Sequence, residues 1–174
     1  MEQGNAMLLD LSKIIQTPDS ELPFRTELDL HDLEFGGNYP VQEPVLAEGS
    51  VRNIAGVLVL RGTVSTRLHA VCDRCAAEFL REVSYPVQAV LVREIEDEDT
   101  ADEWTFLLKE DKADLDEILT TAFVLNMDSK LLCRPDCKGL CCRCGKNLND
   151  GPCGCRPEVD PRLAVLGQLL KDKK

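Results

Sequence analysis

The chain is poor in the residues from which catalytic sites are most often built. Its 174 residues include two histidines, His31 and His69, and show no Ser-His-Asp arrangement, phosphate-binding glycine loop or acid pair at helical spacing. A long apolar run is also missing. The opening "MEQGNAMLLDLSKIIQ" has an acid at its second position and reads as neither a secretory signal nor a membrane span, so a cytoplasmic protein is expected. Positive charge is in deficit as well: 20 Lys and Arg stand against 31 Asp and Glu, a formal charge of −11. That balance argues against a surface that coats nucleic acid as a whole, because phosphate binding is driven by cations displacing counterions.

Cysteine, by contrast, is abundant. Nine are present, and six of them fall in "CKGLCCRCGKNLNDGPCGC", residues 137–155. Disulfides do not persist in a reducing compartment, so a dense cysteine pattern of odd total points to a metal site or a redox device. Two thiolates separated by two residues can reach one zinc ion from a tight turn. The unit occurs twice, as Cys72 and Cys75 in "CDRC" and as Cys141 and Cys144 in "CCRCG", where Gly145 admits the positive φ such a turn tends to need. Two looser pairs follow, Cys133 with Cys137 and Cys153 with Cys155. Leaving out Cys142, these are eight potential ligands for one or two structural zinc ions.

Proximity groups Cys141, Cys144, Cys153 and Cys155 in a local site, and Cys72, Cys75, Cys133 and Cys137 in one that ties sheet to tail. Pairing Cys72 and Cys75 with Cys141 and Cys144 satisfies the spacing equally, and a single site with spare thiols is a third arrangement. A thioredoxin-like centre belongs at a helix N-terminus, whereas "CDRC" lies between two strand patterns. An iron–sulfur cluster would use the same four thiolates. A catalytic zinc keeps an open position and recruits histidine or an acid; His69 precedes Cys72 by three residues but sits on the polar face of its strand and reads as exposed. The expectation is structural zinc in a protein that is not an enzyme.

The remaining pattern predicts an α+β fold. In "GVLVLRGTVSTRLHAVC" Leu58, Leu60, Val64, Leu68 and Ala70 share one face and polar residues the other, the period of a half-buried strand. "FLREVSYPVQAVLVREI" reads as the return, giving an antiparallel β-meander with a barrel-like core and a bulge or corner at Gly62. Further upstream, "MLLDLSKIIQ" fits a helical turn or a strand end, "TPDSELPF" a loop, and "ELDLHDLEF" an alternating run closed by the turn "GGNYP". A helix near 114–127 has Asp114 as its cap and a stripe of Leu115, Ile118, Leu119, Ala122, Phe123 and Met127. A short C-terminal helix begins at Asp160 and Pro161. Seven acids in the ten residues 94–103 read as a solvated loop.

Two parts result: an acidic β-rich body over 1–130, and a cysteine-rich zinc module with its C-terminal helix over 131–174, packed on the body. Charge divides along the same line. Residues 130–156 hold six basic side chains against two acids, a balance of +4 that leaves −15 for the rest. Lys138, Arg143, Lys146 and Arg156 are therefore candidate contacts for RNA or a partner.

"CDRCAAEF" after a long strand, "DLDEILTTAFVLNMDSKLLC" leading to a cysteine, the module "CKGLCCRCGKNLNDGPCGC" and the closing "DPRLAVLGQLLK" together resemble the YceD family, large ribosomal RNA subunit accumulation proteins. The resemblance covers the chain from Val45 onward; the N-terminal third matches only in character. It implies a role in accumulation or maturation of large-subunit ribosomal RNA and brings no catalytic residues with it. Cys142 departs from the family pattern, which tends to place proline there. The function expected is that of a non-enzymatic ribosome-assembly factor. Its acidic body would face a basic ribosomal protein, its tail a large-subunit rRNA precursor, and neither membrane nor small-molecule substrate is involved. The alternatives are a zinc/thiol redox-responsive regulator and an autonomous RNA-binding zinc module in residues 130–174, which a steep salt dependence would reveal.

Overall fold

A computed structural model describes residues 7–94 and 104–155. The acidic run from 95 to 103, the C-terminal helix with Asp160, and Arg156 lie outside the described residues. Two 15-residue strands dominate, β4 (Val57–Val71) and β5 (Glu78–Val92). They form one antiparallel hairpin whose pairing runs without a slip from Leu58 opposite Leu91 to Val71 opposite Glu78. Its far end is the "CDRC" turn. Before the hairpin come β2 (Glu21–Leu28) and β3 (Val45–Ile54), which complete an antiparallel meander. β6 (Thr105–Leu107) joins β5 in parallel, so the sheet order is β2-β3-β4-β5-β6.

The period-two pattern fixes which face is dry. Val45, Ala47 and Val51 of β3 and Leu60, Val64 and Leu68 of β4 are all buried, and each large apolar side chain so placed contributes roughly 1.5–3 kcal/mol. Helix α2 (Leu115–Asn126) covers part of the sheet with Leu115, Ile118, Leu119, Ala122 and Phe123. The Phe123 ring meets Tyr85 of β5 edge-on at 5.7 Å. Asp114 caps the helix by accepting the Glu117 N–H. At the N-terminus β1 (Leu8–Asp10) pairs with β7 (Lys112–Asp114), and the single turn α1 (Ser12–Ile15) follows. The stretch 7–16 thus contains both a strand end and a helical turn. Asn53 is the buried polar residue that joins these parts: its Nδ2 donates to the Ile14 and Ile15 carbonyls at 2.7 and 3.2 Å, and its Oδ1 accepts the Gly56 N–H at 2.9 Å.

Four sequence expectations need correcting. Closure into a barrel is not seen: β2 and β6 are opposite edges, and no pairing joins them among the described residues. No bulge occurs at Gly62, because β3 and β4 pair in unbroken register through Gly49 opposite Gly62. Both glycines are instead needed for close approach, since a Cβ on Gly49 would overlap the Arg61 carbonyl oxygen and one on Gly62 would crowd that of Glu48. Residues 21–24, expected as loop, belong to β2; Pro23 is tolerated because β2 is an edge strand. The run beyond Leu28 is not strand, because the Asp29 side chain accepts the His31 N–H and turns the chain. The turn at Gly36 and Gly37 is as expected, closed by a bridge between Phe35 and Asn38. Among the described residues no helix is long and apolar enough to cross a membrane.

Candidate metal centres

Both C-x-x-C segments fold into the same knuckle. In "CDRCAA" the Cys72 N–H donates to the Ala77 carbonyl at 2.9 Å and the Ala76 N–H to the Cys72 carbonyl at 2.8 Å; in "CCRCGK" Cys141 bonds Lys146 at 2.8 Å and Gly145 bonds Cys141 at 2.9 Å. The fifth residue is left-handed in each, with φ of 56° at Ala76 and 70° at Gly145. This closes the backbone into a tight turn and brings its two sulfurs within 4.8 Å of each other.

The fold brings the eight cysteines into two groups of four. Cys72, Cys75, Cys133 and Cys137 form one, Cys141, Cys144, Cys153 and Cys155 the other, and within each group all sulfurs lie within 4.8 Å of one another. Of the arrangements that spacing left open, this is the grouping by proximity. Four sulfurs about 2.3 Å from a tetrahedral centre stand about 3.8 Å apart. Cys72 and Cys137 are 3.8 Å apart, and Cys75 and Cys133 are 3.7 Å apart, far beyond a disulfide's roughly 2.05 Å. Dimensions and donor set therefore suit a divalent ion that favours closed four-sulfur coordination, zinc foremost. Bound there, such an ion would supply cross-linking, with no open position for a substrate.

The electrostatics of the thiols agree. Desolvation opposes ionisation of Cys72, yet the backbone N–H groups of Cys133, Arg74 and Cys75 outweigh it and bring its pKa down to about 6. Its neighbour Cys133 is pushed up to about 12 by desolvation and by Cys75. In the second group the N–H groups of Cys144 and Arg143 lower Cys141 to about 6, while Cys144 and desolvation raise Cys155 to about 12. Each group thus combines a sulfur ready to ionise with one that resists. Four thiolates at this distance need a cation between them.

The first group fastens residues 131–140 to the hairpin. The Leu131 N–H donates to the Asp73 carboxylate at 2.7 Å, and the Asp73 N–H to the Leu131 carbonyl at 2.9 Å. The Arg74 carbonyl accepts the Leu140 N–H at 3.0 Å, and the Arg74 guanidinium donates to the Cys137 carbonyl at 3.0 Å. Gly139, with φ of 74°, passes so close to Arg74 that a Cβ would stand 2.9 Å from its carbonyl oxygen. Spacing gave no sign of Asp73, Arg74, Gly139 or Asn149, whose roles arise only when two distant segments meet. Asn149 Nδ2 donates to Cys137 Sγ at 3.3 Å and is the main cause of that thiol's lowered pKa.

The other candidates fall outside the two groups. Cys142 is exposed and joins neither. His69 is half-buried rather than exposed, and its Nε2 lies 3.1 Å from the Glu43 carboxylate. Lys138 and Arg143 are exposed. Lys146 is exposed but committed, donating from Nζ to the Pro152 carbonyl at 3.0 Å, so it braces the second loop.

Comparison with known proteins places these residues in a wider set. The model of the family described as "Large ribosomal RNA subunit accumulation protein YceD" matches residues 60–170, a span that includes all eight grouped cysteines. Uncharacterized proteins of Mycobacterium tuberculosis and Mycobacterium bovis are each 28% identical over 128 residues, covering 69% of this chain and 59% of their own length. One of Mycobacterium leprae is 25% identical over 154 residues, covering 84% of this chain and 65% of its own. The chain thus spans less than two thirds of these relatives. No solved structure matches.

Proposed function

The chain belongs to the YceD family, and from that premise we propose that it is a non-enzymatic factor supporting accumulation of large-subunit ribosomal RNA, with structural zinc in both cysteine groups. The observation that carries this reading is the composition of the two centres inside the family's matched span: eight sulfurs, four to a group, with no histidine or carboxylate among them. Zinc closed by four thiolates stabilises a fold and leaves no open position for water or substrate.

The acidic remainder of the chain suits a basic ribosomal protein, and the exposed Lys138 and Arg143 of the cysteine module suit rRNA phosphates, with Arg156 as a further cation of the same segment. A cytoplasmic location belongs to the same proposal. The test has two arms. The purified protein is expected to co-sediment with large-subunit precursors, and its depletion to lower the ratio of large- to small-subunit rRNA. Failure of both arms overturns the reading. Reversible zinc loss under mild peroxide, with a change in partner binding, would favour the redox-responsive alternative instead.

A further inference from the structure

The two cysteine groups are physically joined, and the joint is narrow. Between Cys137, the last sulfur of the first group, and Cys141, the first of the second, stand three residues, 138–140. Each is held from one side or both. The Lys138 N–H donates to Asn149 Oδ1 at 2.8 Å, the Gly139 carbonyl accepts the Leu148 N–H at 2.9 Å, and Leu140 donates to Arg74 while bridging Asn147. Asn149 is the hub. It sits in the 3-10 turn Leu148–Asp150, inside the loop that carries the chain from Cys144 to Cys153, yet its Nδ2 reaches Cys137 Sγ in the other group.

The orientation of this amide is fixed by its partners. Lys138 N–H can only donate, so it meets Oδ1; Asn147 Oδ1 accepts from both the Asn149 N–H at 3.0 Å and Nδ2 at 2.8 Å. The loop that holds Asn149 in place is closed at both ends by sulfurs of the second group. When that group is open, the turn keeps its bonds to residues 138–140 but loses the anchors at both ends of its loop, so the amide is held on Cys137 less firmly.

We propose that Asn149 is a positioning residue that couples the two metal sites: zinc in the second site orders the 141–155 loop, and this seats the Asn149 amide against the Cys137 sulfur and tightens zinc binding in the first. The inference rests on the two-zinc reading above. Hydrogen bonds to ligand atoms from outside the coordination shell are worth about 10- to 100-fold in metal affinity, and coupling is reciprocal, so the first site tightens the second by the same factor.

The experiment is a cycle on the full chain. Zinc is withdrawn by a chromophoric chelator, and the site that opens is identified by which cysteines become alkylated. Four proteins are compared: wild type, Asn149→Ala, the double variant Cys153→Ser with Cys155→Ser, and the triple variant. Asn149→Ala and the double variant should each weaken the first site about 10- to 100-fold, the expected scale for such a contact, and the triple variant should lose no more than either. Asn149→Asp keeps the acceptor for Lys138 and removes the donor to Cys137, so it should weaken the first site while preserving fold by circular dichroism. Equal first-site affinity in all four proteins, or losses that multiply in the triple variant, would overturn the coupling while two zinc ions per wild-type chain leave the two-site reading standing. Fewer than two ions in the wild type would overturn both, and metal content alone would show it.

Discussion

The two cysteine groups share ligands and knuckle geometry, yet one is sewn through the body and the other is closed within its own loop. In the first, Cys72 meets Cys137 and Cys75 meets Cys133 across separations of 65 and 58 residues. In the second, all four sulfurs lie within residues 141–155. Closing a span near 60 residues rather than one near 10 costs about 1.6 kcal/mol more in chain entropy. What that difference secures is burial: Cys72, Cys75 and Cys137 are 2–5% exposed, while Cys144 is exposed. The first group is an architectural joint, and the second is a local clip open to exchange.

Removing a ligand should divide the two most sharply. Cys72→Ser is expected to abolish zinc in the first site and release residues 131–140 from the hairpin, because apparent binding energies of structural zinc are on the order of 10 kcal/mol and are folding energy. Cys144→Ser should cost one zinc ion and a far smaller fall in thermal midpoint; equal falls would erase the distinction. Metal analysis with thermal unfolding of both variants decides. Next in size, Phe123→Ala removes a fully buried ring and should cost about 3–5 kcal/mol. It should leave two zinc ions per chain, since among the described residues Phe123 and the buried cysteines Cys72, Cys75 and Cys137 belong to separate apolar clusters; loss of metal would mean that the sites depend on the whole body.

Two smaller changes probe the backbone under the sulfurs. Gly139→Ala forces a Cβ toward the Arg74 carbonyl at positive φ and should cost about 1–2 kcal/mol, read as faster alkylation of Cys133 and Cys137 in chelator. Gly145→Ala meets open space but the same φ penalty, so it should loosen the second site directly, by about 1 kcal/mol, and reach the first only through Asn149. Its counterpart Ala76→Gly relieves a left-handed alanine at the matching place in the first knuckle, at the expense of about 0.5–1 kcal/mol in unfolded-chain entropy. A near-zero change in unfolding midpoint is the expected outcome there, and a large one would show that the knuckles are not equivalent.

The sequence carried the site further than the sheet. Membership of the eight cysteines followed from two C-x-x-C units and two looser pairs, and the α2 stripe and β4 alternation followed from periodicity, because these signals are local. The partition of the sulfurs was not decided by spacing, since several groupings satisfy it. Asn149 was invisible for the same reason: its amide contacts a sulfur that is near in space only after the strap folds over Arg74. β2 was missed because Pro23 and the preceding "TPDS" imitate a loop, and an edge strand permits both. The barrel-like core was read from the meander, whose neighbour-to-neighbour pairing says nothing about whether the outer edges meet. Gly62 was rightly singled out, but for a kink, whereas its use is proximity to Gly49.

The span between Cys75 and Cys133 is also a delay. At synthesis rates of about 5–20 residues per second, roughly 3–12 seconds separate the appearance of these two residues on a growing chain. The β4–β5 hairpin has both its strands long before then and can form within microseconds. The first knuckle therefore waits, presented on a finished hairpin, until Cys133 and Cys137 arrive. By contrast the second group starts at Cys141, after the first has all its sulfurs, and is complete by Cys155, so the pair of ligands made earliest is the one that waits longest.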